Sequence, residues 1–172
     1  MGHNISEVLV TEEQINEMCD RIAQQLNCDY KDSEPVIVGI LTGAFIFTAD
    51  LVRRLRIPVI VDFMQVASYV GTESTGKLIV KKELSTDVAG RDVLVVEDII
   101  DTGRTMELVK SELLGRGAKS VKVCAAFDKP DRRVNDFVPD YCGIVIPDEF
   151  IVGYGLDYDG KYRNVKDVRI VR

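Results

Sequence analysis

Imidazole is almost missing from this chain: His3 is the only histidine among 172 residues, and there is no tryptophan. One imidazole leaves no basis for a histidine-rich zinc site or a Cys-His nucleophile. The four cysteines, Cys19, Cys28, Cys124 and Cys142, are widely spaced and never form C-x-x-C. Scattered cysteines within apolar stretches read as reduced core residues, which places the protein in the cytoplasm. No apolar run approaches the ~18 residues of a membrane span. The segment 4–14 is polar and acidic, unlike a secretory leader. Basic charge is short as well, 22 Lys and Arg against 28 Asp and Glu for a net −6, which argues against nucleic-acid partners and anionic membranes. With no repeat, low-complexity tract or linker, the expectation is one domain over 1–172 that buries roughly 70% of its extended-chain surface.

Two common phosphate motifs are also lacking. Gly71-Thr72-Glu73-Ser74-Thr75-Gly76-Lys77 resembles a Walker A loop but has Leu78 where the Mg²⁺-binding Ser or Thr belongs, and it leads into a β-like run. Gly153-Tyr154-Gly155 is followed by Tyr158 where a dinucleotide fingerprint needs its third glycine.

What is present is an alternation of helical and strand patterns. Thr11 and Gln14 form a capping box before Ile15, Met18, Cys19, Ile22, Ala23 and Leu26 at helical spacing. Strands are expected over 36–41, from Val59 onward, and over 77–82, 93–96, 120–127, 142–146 and 168–171. Helices are expected over 44–55, ending before Pro58, and over 105–114, closed by Gly115 and Gly117. Strands separated by helices imply an α/β fold, a mainly parallel sheet covered on both faces, whose ligands bind beyond the carboxyl ends of the strands.

The densest chemistry lies in Val93-Leu94-Val95-Val96-Glu97-Asp98-Ile99-Ile100-Asp101-Thr102-Gly103-Arg104-Thr105. A buried strand stops at two adjacent carboxylates, which about 4 Å apart repel by roughly 4 kcal/mol at an effective dielectric of 20. Such a pair needs a cation or hydroxyl donors, and ribose hydroxyls with Mg²⁺ satisfy both. Asp101-Thr102-Gly103-Arg104-Thr105 offers hydroxyls, backbone N–H groups and a helix N-terminus to a phosphate dianion. The glycine-hinged polar stretch from Ser68 to Gly76 has the profile of a lid or of an exposed loop.

The run resembles the phosphoribosyl-pyrophosphate (PRPP) signature of type I phosphoribosyltransferases, and Glu97-Asp98-Ile99-Ile100-Asp101-Thr102-Gly103 is similar to the form in hypoxanthine-guanine phosphoribosyltransferases. The resemblance extends from about Val36 to Arg169. It implies the fold of that family, with a small hood formed from the chain ends. It implies that Leu41-Thr42-Gly43-Ala44 is the pyrophosphate loop. Many relatives carry a basic residue at the position of Thr42, so here the backbone N–H groups of Thr42 and Gly43 are left to bind the leaving group. Ser68 and Tyr69 match the pair that starts the closing loop. Lys129 matches the lysine that reads the purine six-oxo group. Phe150 matches the ring that stacks on the base, with the backbone of Glu149 and Ile151 at its exocyclic edge and Ile99 at the other face. Asp157 matches an Mg²⁺ ligand and Arg163 a pyrophosphate-binding arginine.

The implied reaction joins PRPP to hypoxanthine or guanine and gives IMP or GMP plus pyrophosphate, with Mg²⁺ as cofactor. Metal contacts are expected at Glu97, Asp98 and Asp157, and the 5′-phosphate at Thr102, Gly103, Arg104 and Thr105. Asp101 is expected to take the N7 proton of the purine; its other reading is a helix N-cap. The family also implies a dimer or tetramer. A non-catalytic nucleotide sensor and a xanthine-preferring transferase are the alternatives.

Overall fold

The computed structural model describes residues 5–69 and 76–172. The chain opens with a strand, β1 (Ile5–Val10), and helix α1 (Glu12–Asp29), whose first turn carries the expected capping box between Thr11 and Gln14. Next come β2 (Val36–Leu41), α2 (Phe45–Val52), β3 (Ile60–Tyr69) and β4 (Lys77–Lys82). Then follow β5 (Asp92–Ile100), α3 (Arg104–Gly115) and β6 (Ser120–Asp128), with a 3-10 turn at Pro130–Arg132. The chain finishes with β7 (Tyr141–Val145), β8 (Ile151–Val152) and β9 (Val168–Val171).

Six strands form one sheet in the order β4-β3-β2-β5-β6-β7, with every neighbouring pair parallel except β3 and β4. Alternation along β5 explains the layering. Leu94 and Val96 pack with α1 and α2, whereas Val93 and Val95 pack with α3. All four side chains are fully buried, each contributing about 1.5–3 kcal/mol relative to exposure. Along β3 the inward positions carry Asp62 and Met64, and the apolar Val61 faces outward.

β1, β9 and β8 form a second, antiparallel sheet that joins the two ends of the chain into a hood. Neither β1 nor β8 carries a readable strand pattern; both are held by β9. The α3 helix ends as expected at glycine, but only Gly117 adopts the left-handed conformation, with φ +89°, and its N–H returns to the Leu114 carbonyl at 3.0 Å. Gly115 is the last helical residue and needs no such freedom. The α2 helix stops at Val52, three residues short of the expected end.

Candidate active site

Strands β2, β5 and β6 run parallel, so their carboxyl ends, at Leu41, Ile100 and Asp128, deliver three loops to one edge of the sheet. The loops touch. A Cβ on Gly43 would lie 1.7 Å from Asp98 Oδ2, and a Cβ on Gly155 would lie 2.1 Å from the Gly43 carbonyl oxygen. The Leu41–Thr42 peptide is cis. Gly155, at φ +96°, occupies a backbone region that side chains rarely adopt, so two glycines are required where the expected pyrophosphate loop is pressed between the carboxylate pair and the segment leading to Asp157.

Glu97 is 9% exposed, and Asp98 beside it is half-buried. Glu97 Oε1 accepts the Asp98 N–H at 3.0 Å, and Asp98 Oδ1 accepts the Ile99 N–H at 2.7 Å. Burial, and then the charge of Asp98, push the Glu97 carboxyl well above its ordinary range. A carboxyl pair with one buried and one half-buried member suits hydroxyl donors or a cation.

The expected phosphate end follows β5 at the start of α3. Gly103 is the N-cap of α3, with φ +85° and no side chain of its own, so among the described residues the contact of Thr102 Oγ1 with Arg104 N–H is the side-chain competitor an anion meets at this helix N-terminus. Asp101 is therefore not the N-cap, one of its two expected roles: its carboxylate turns away to Arg132 Nε at 3.0 Å. Thr102 Oγ1 reaches the Arg104 N–H at 3.4 Å, and Thr105 Oγ1 meets Ser68 Oγ at 2.9 Å, bringing the end of β3 beside the phosphate loop. The Tyr69 side chain and residues 70–75, which hold most of the expected lid and the Walker-like segment, lie outside the described residues.

The residues expected at the base end begin just after β6. Lys129 is 9% exposed; its N–H bonds the Ile100 carbonyl at 2.9 Å, and its Nζ donates to the Glu149 carbonyl. One of three ammonium protons is thereby used, and the lysine ties the β6 loop to the segment carrying Phe150. Phe150 is half exposed and meets Tyr158 edge-on, with ring centroids 5.5 Å apart. Val171 of the hood donates its N–H to the Phe150 carbonyl at 2.9 Å, and Ile151 is buried in β8. Ile99 is half-buried against the core on the α1 and α2 side of the sheet.

Two arginines escaped the sequence reading. Arg133 donates from Nη1 to the Asp101 carbonyl at 3.0 Å and pairs through Nη2 with the buried Asp128 carboxylate. A Cβ on Gly103 would lie 2.7 Å from Arg133 Cδ and 2.5 Å from Asn135 Oδ1, so this segment packs against the loop expected to hold phosphate. The available signal was a pair of arginines just after Lys129-Pro130.

Asp157 and Arg163 are brought together, Oδ1 to Nη2 at 3.0 Å, while Arg163 Nη1 donates to the Gly155 carbonyl at 2.7 Å and Asp157 Oδ2 accepts the Gly160 N–H at 2.8 Å. Tyr154 anchors this turn in the core: its hydroxyl donates to Asp50 Oδ2 at 2.7 Å, and its ring lies between Phe47 and Phe127. Among the described residues no three carboxylate, cysteine or histidine groups converge into a metal cage. Separate hard oxygen donors fit Mg²⁺, which keeps waters and substrate oxygens rather than taking an all-protein cage.

Residues 9–159 match the model of the phosphoribosyl transferase domain family. A hypoxanthine-guanine phosphoribosyltransferase of Staphylococcus aureus is 43% identical over 166 residues, 96% of this chain and 93% of that protein. The crystal structure of a hypoxanthine-guanine phosphoribosyltransferase from Bacillus anthracis superposes with a TM-score of 0.93 at 39% identity, covering 99% of both chains. A hypoxanthine phosphoribosyltransferase from Trypanosoma cruzi, solved as a ternary substrates complex, gives 0.92 at 35% identity over 98% of this chain and 96% of that one.

Proposed function

The chain belongs to the phosphoribosyl transferase domain family, and on that premise we propose that it moves the 5-phosphoribosyl group of PRPP to N9 of hypoxanthine or guanine, giving IMP or GMP and pyrophosphate. The observation that carries this reading is one edge of the sheet holding three unlike sites in reach of each other. They are a carboxylate pair at buried Glu97 and half-buried Asp98, a helix N-terminus whose N-cap, Gly103, has no side chain, and a buried lysine just after β6.

Each end of the edge suits one part of the substrates. Thr102, Gly103, Arg104 and Thr105, with Ser68 and Tyr69 alongside, bind the phosphate of the ribose through hydroxyls and N–H groups. Glu97 and Asp98 accept hydrogen bonds from the ribose hydroxyls. Thr42 and Gly43 offer backbone N–H groups to pyrophosphate, and Arg163 adds a planar guanidinium suited to two oxygens. Lys129 retains two donors for the six-oxo group, which favours hypoxanthine and guanine over adenine. Phe150 stacks on the ring, Ile99 packs near its other face, and the backbone of Glu149 and Ile151 meets its edge.

As the bond to pyrophosphate lengthens, the anomeric carbon gains positive charge, and the N9 lone pair attacks. Asp101 accepts the proton from N7, leaving the electron pair on the ring. Mg²⁺, held by Asp157 and by Glu97 and Asp98 directly or through the ribose hydroxyls, would supply charge neutralisation of the leaving group. In this reading 1–172 acts as one catalytic unit in the cytoplasm, as a dimer or tetramer. Purified protein given PRPP, Mg²⁺ and hypoxanthine or guanine is expected to form IMP or GMP, while Asp101→Asn loses most turnover and still binds GMP. Absence of both products overturns the reading.

A further inference from the structure

The Asp101 side chain is exposed, and one contact sets its direction. Arg132 Nε lies 3.0 Å from Asp101 Oδ1, and Nη1 of the same guanidinium lies 3.9 Å from Asp148 Oδ2. Both side chains of the closer pair are 48% exposed. The backbone of Asp101 is held separately, by Arg133 at its carbonyl. Arg132 therefore fixes the carboxylate while Arg133 fixes the chain beneath it. Arg132 ends the 3-10 turn begun at Pro130, and its N–H bonds the Lys129 carbonyl at 3.1 Å. The residue that meets the purine oxygen and the residue that holds the Asp101 carboxylate are thus three positions apart on one rigid turn.

We propose that Arg132 is a positioning residue for the transfer, holding the Asp101 carboxylate in one orientation while the base site is empty and passing to Asp148 as Asp101 takes the purine proton. This rests on Asp101 being the proton acceptor. When the N7–H bond breaks and an O–H bond forms on Asp101, the electron pair stays on the purine and Asp101 becomes neutral. Its attraction for Arg132 then falls away, whereas Asp148 keeps its charge. A guanidinium presents five donors in a fixed fork, so one that already faces both carboxylates changes partner by a short swing. The arrangement keeps the acceptor from folding onto other cations of the site before the base binds. It also leaves no unpaired positive charge once the proton has moved.

The test compares Arg132→Ala, Arg132→Lys, Asp148→Asn, Asp101→Asn and the double variant D101N/R132A in steady-state assays, with melting curves and GMP binding as folding controls. A misdirected acceptor lowers kcat by about 10- to 100-fold, and because the Arg132 ion pairs are with Asp101 and Asp148 and not with the residues proposed to hold ribose and pyrophosphate, the KM for PRPP stays within about threefold. Arg132→Lys recovers part of the loss, since it returns the charge without the fork. Asp148→Asn slows turnover several-fold. In the double variant the Arg132 change adds less than about twofold to the loss in D101N, because both act through one carboxylate. Unchanged kcat in R132A, losses that multiply in the double variant, or a KM for PRPP that climbs as kcat falls would each overturn the inference while leaving Asp101 as acceptor. Wild-type turnover in D101N would overturn the acceptor reading and this inference together.

Discussion

Gly43 and Asp98 are in contact across the site: the position of a Cβ on Gly43 falls 1.7 Å from Asp98 Oδ2. The distance is below any allowed approach, so the glycine is a spatial requirement and not a matter of loop freedom. Gly43→Ala must displace the carboxylate or the loop. Overpacking of this kind costs about 1–3 kcal/mol. A lowered melting temperature and a PRPP affinity reduced by at least tenfold are expected, the second read by titrating PRPP in the presence of Mg²⁺. A variant with unchanged PRPP binding would show that the two loops separate freely.

Glu97 is expected to trade stability for binding. Its folded carboxyl titrates above its unfolded value, because burial and then Asp98 disfavour the charge. The folded state holds the extra proton, so the wild type loses stability as pH rises from the unfolded value, about 4.3, toward the folded one. Glu97→Gln removes that loss. In EDTA the variant melts above the wild type at pH 8, by on the order of 2–4 °C for each kcal/mol recovered, and the difference closes toward pH 4. Its transfer rate falls at the same time. A variant that melts lower at pH 8 contradicts the assigned charge state.

Asp62 has the opposite sign. Burial alone would raise it, but hydrogen bonds from the backbone N–H groups of Phe63, Thr86 and Ser85 and from the Thr86 hydroxyl outweigh that and hold it below the ordinary range. Its two oxygens accept Phe63 N–H at 2.7 Å and Ser85 and Thr86 N–H at 2.8 Å. The stabilisation is full above the unfolded value, about 3.9, and is lost as pH falls through the lower folded value. Asp62→Asn turns an amide NH₂ toward N–H donors and costs about 1–3 kcal/mol at pH 7. Urea melts of the two proteins should converge below pH 3; a constant gap there would mean that packing, and not charge, sets the cost.

Lys129 is held in the fold by the carbonyl of Glu149 and by its own N–H. Lys129→Ala removes the donors proposed to meet the purine oxygen and the bond that ties the Phe150 segment to β6. The KM for hypoxanthine and guanine is expected to rise by one to two orders of magnitude, as for loss of a hydrogen bond to a charged group. The KM for PRPP changes far less. Equal changes in both would place the lysine in the general support of the site.

The sequence by itself determined the central sheet, the order of its motifs and the family. Uninterrupted apolar runs at 36–41 and 93–96 have one way to avoid water, and a capping box or an Asp-Thr-Gly run depends on neighbours a few residues away. It also brought Glu97, Asp98, Lys129, Phe150 and Asp157 forward as candidates, through local runs that resemble a known signature.

Contacts between distant segments were decided only by tertiary structure. β1 and β8 have no pattern of their own and become strands because β9 offers them hydrogen bonds. Asp62 alternates with the apolar Val61 and Phe63, yet it is Asp62 that is buried and Val61 that is exposed, and the N–H groups of Ser85 and Thr86 meet the buried carboxylate. Asp101 reads as a helix cap or as a proton acceptor; α3 begins at Arg104 with Gly103 as its N-cap, which removes the first role, and a 3-10 turn 31 residues away places Arg132 beside the carboxylate. A carboxylate takes whichever donor the fold brings within 3 Å, and that choice is not written in the residues next to it.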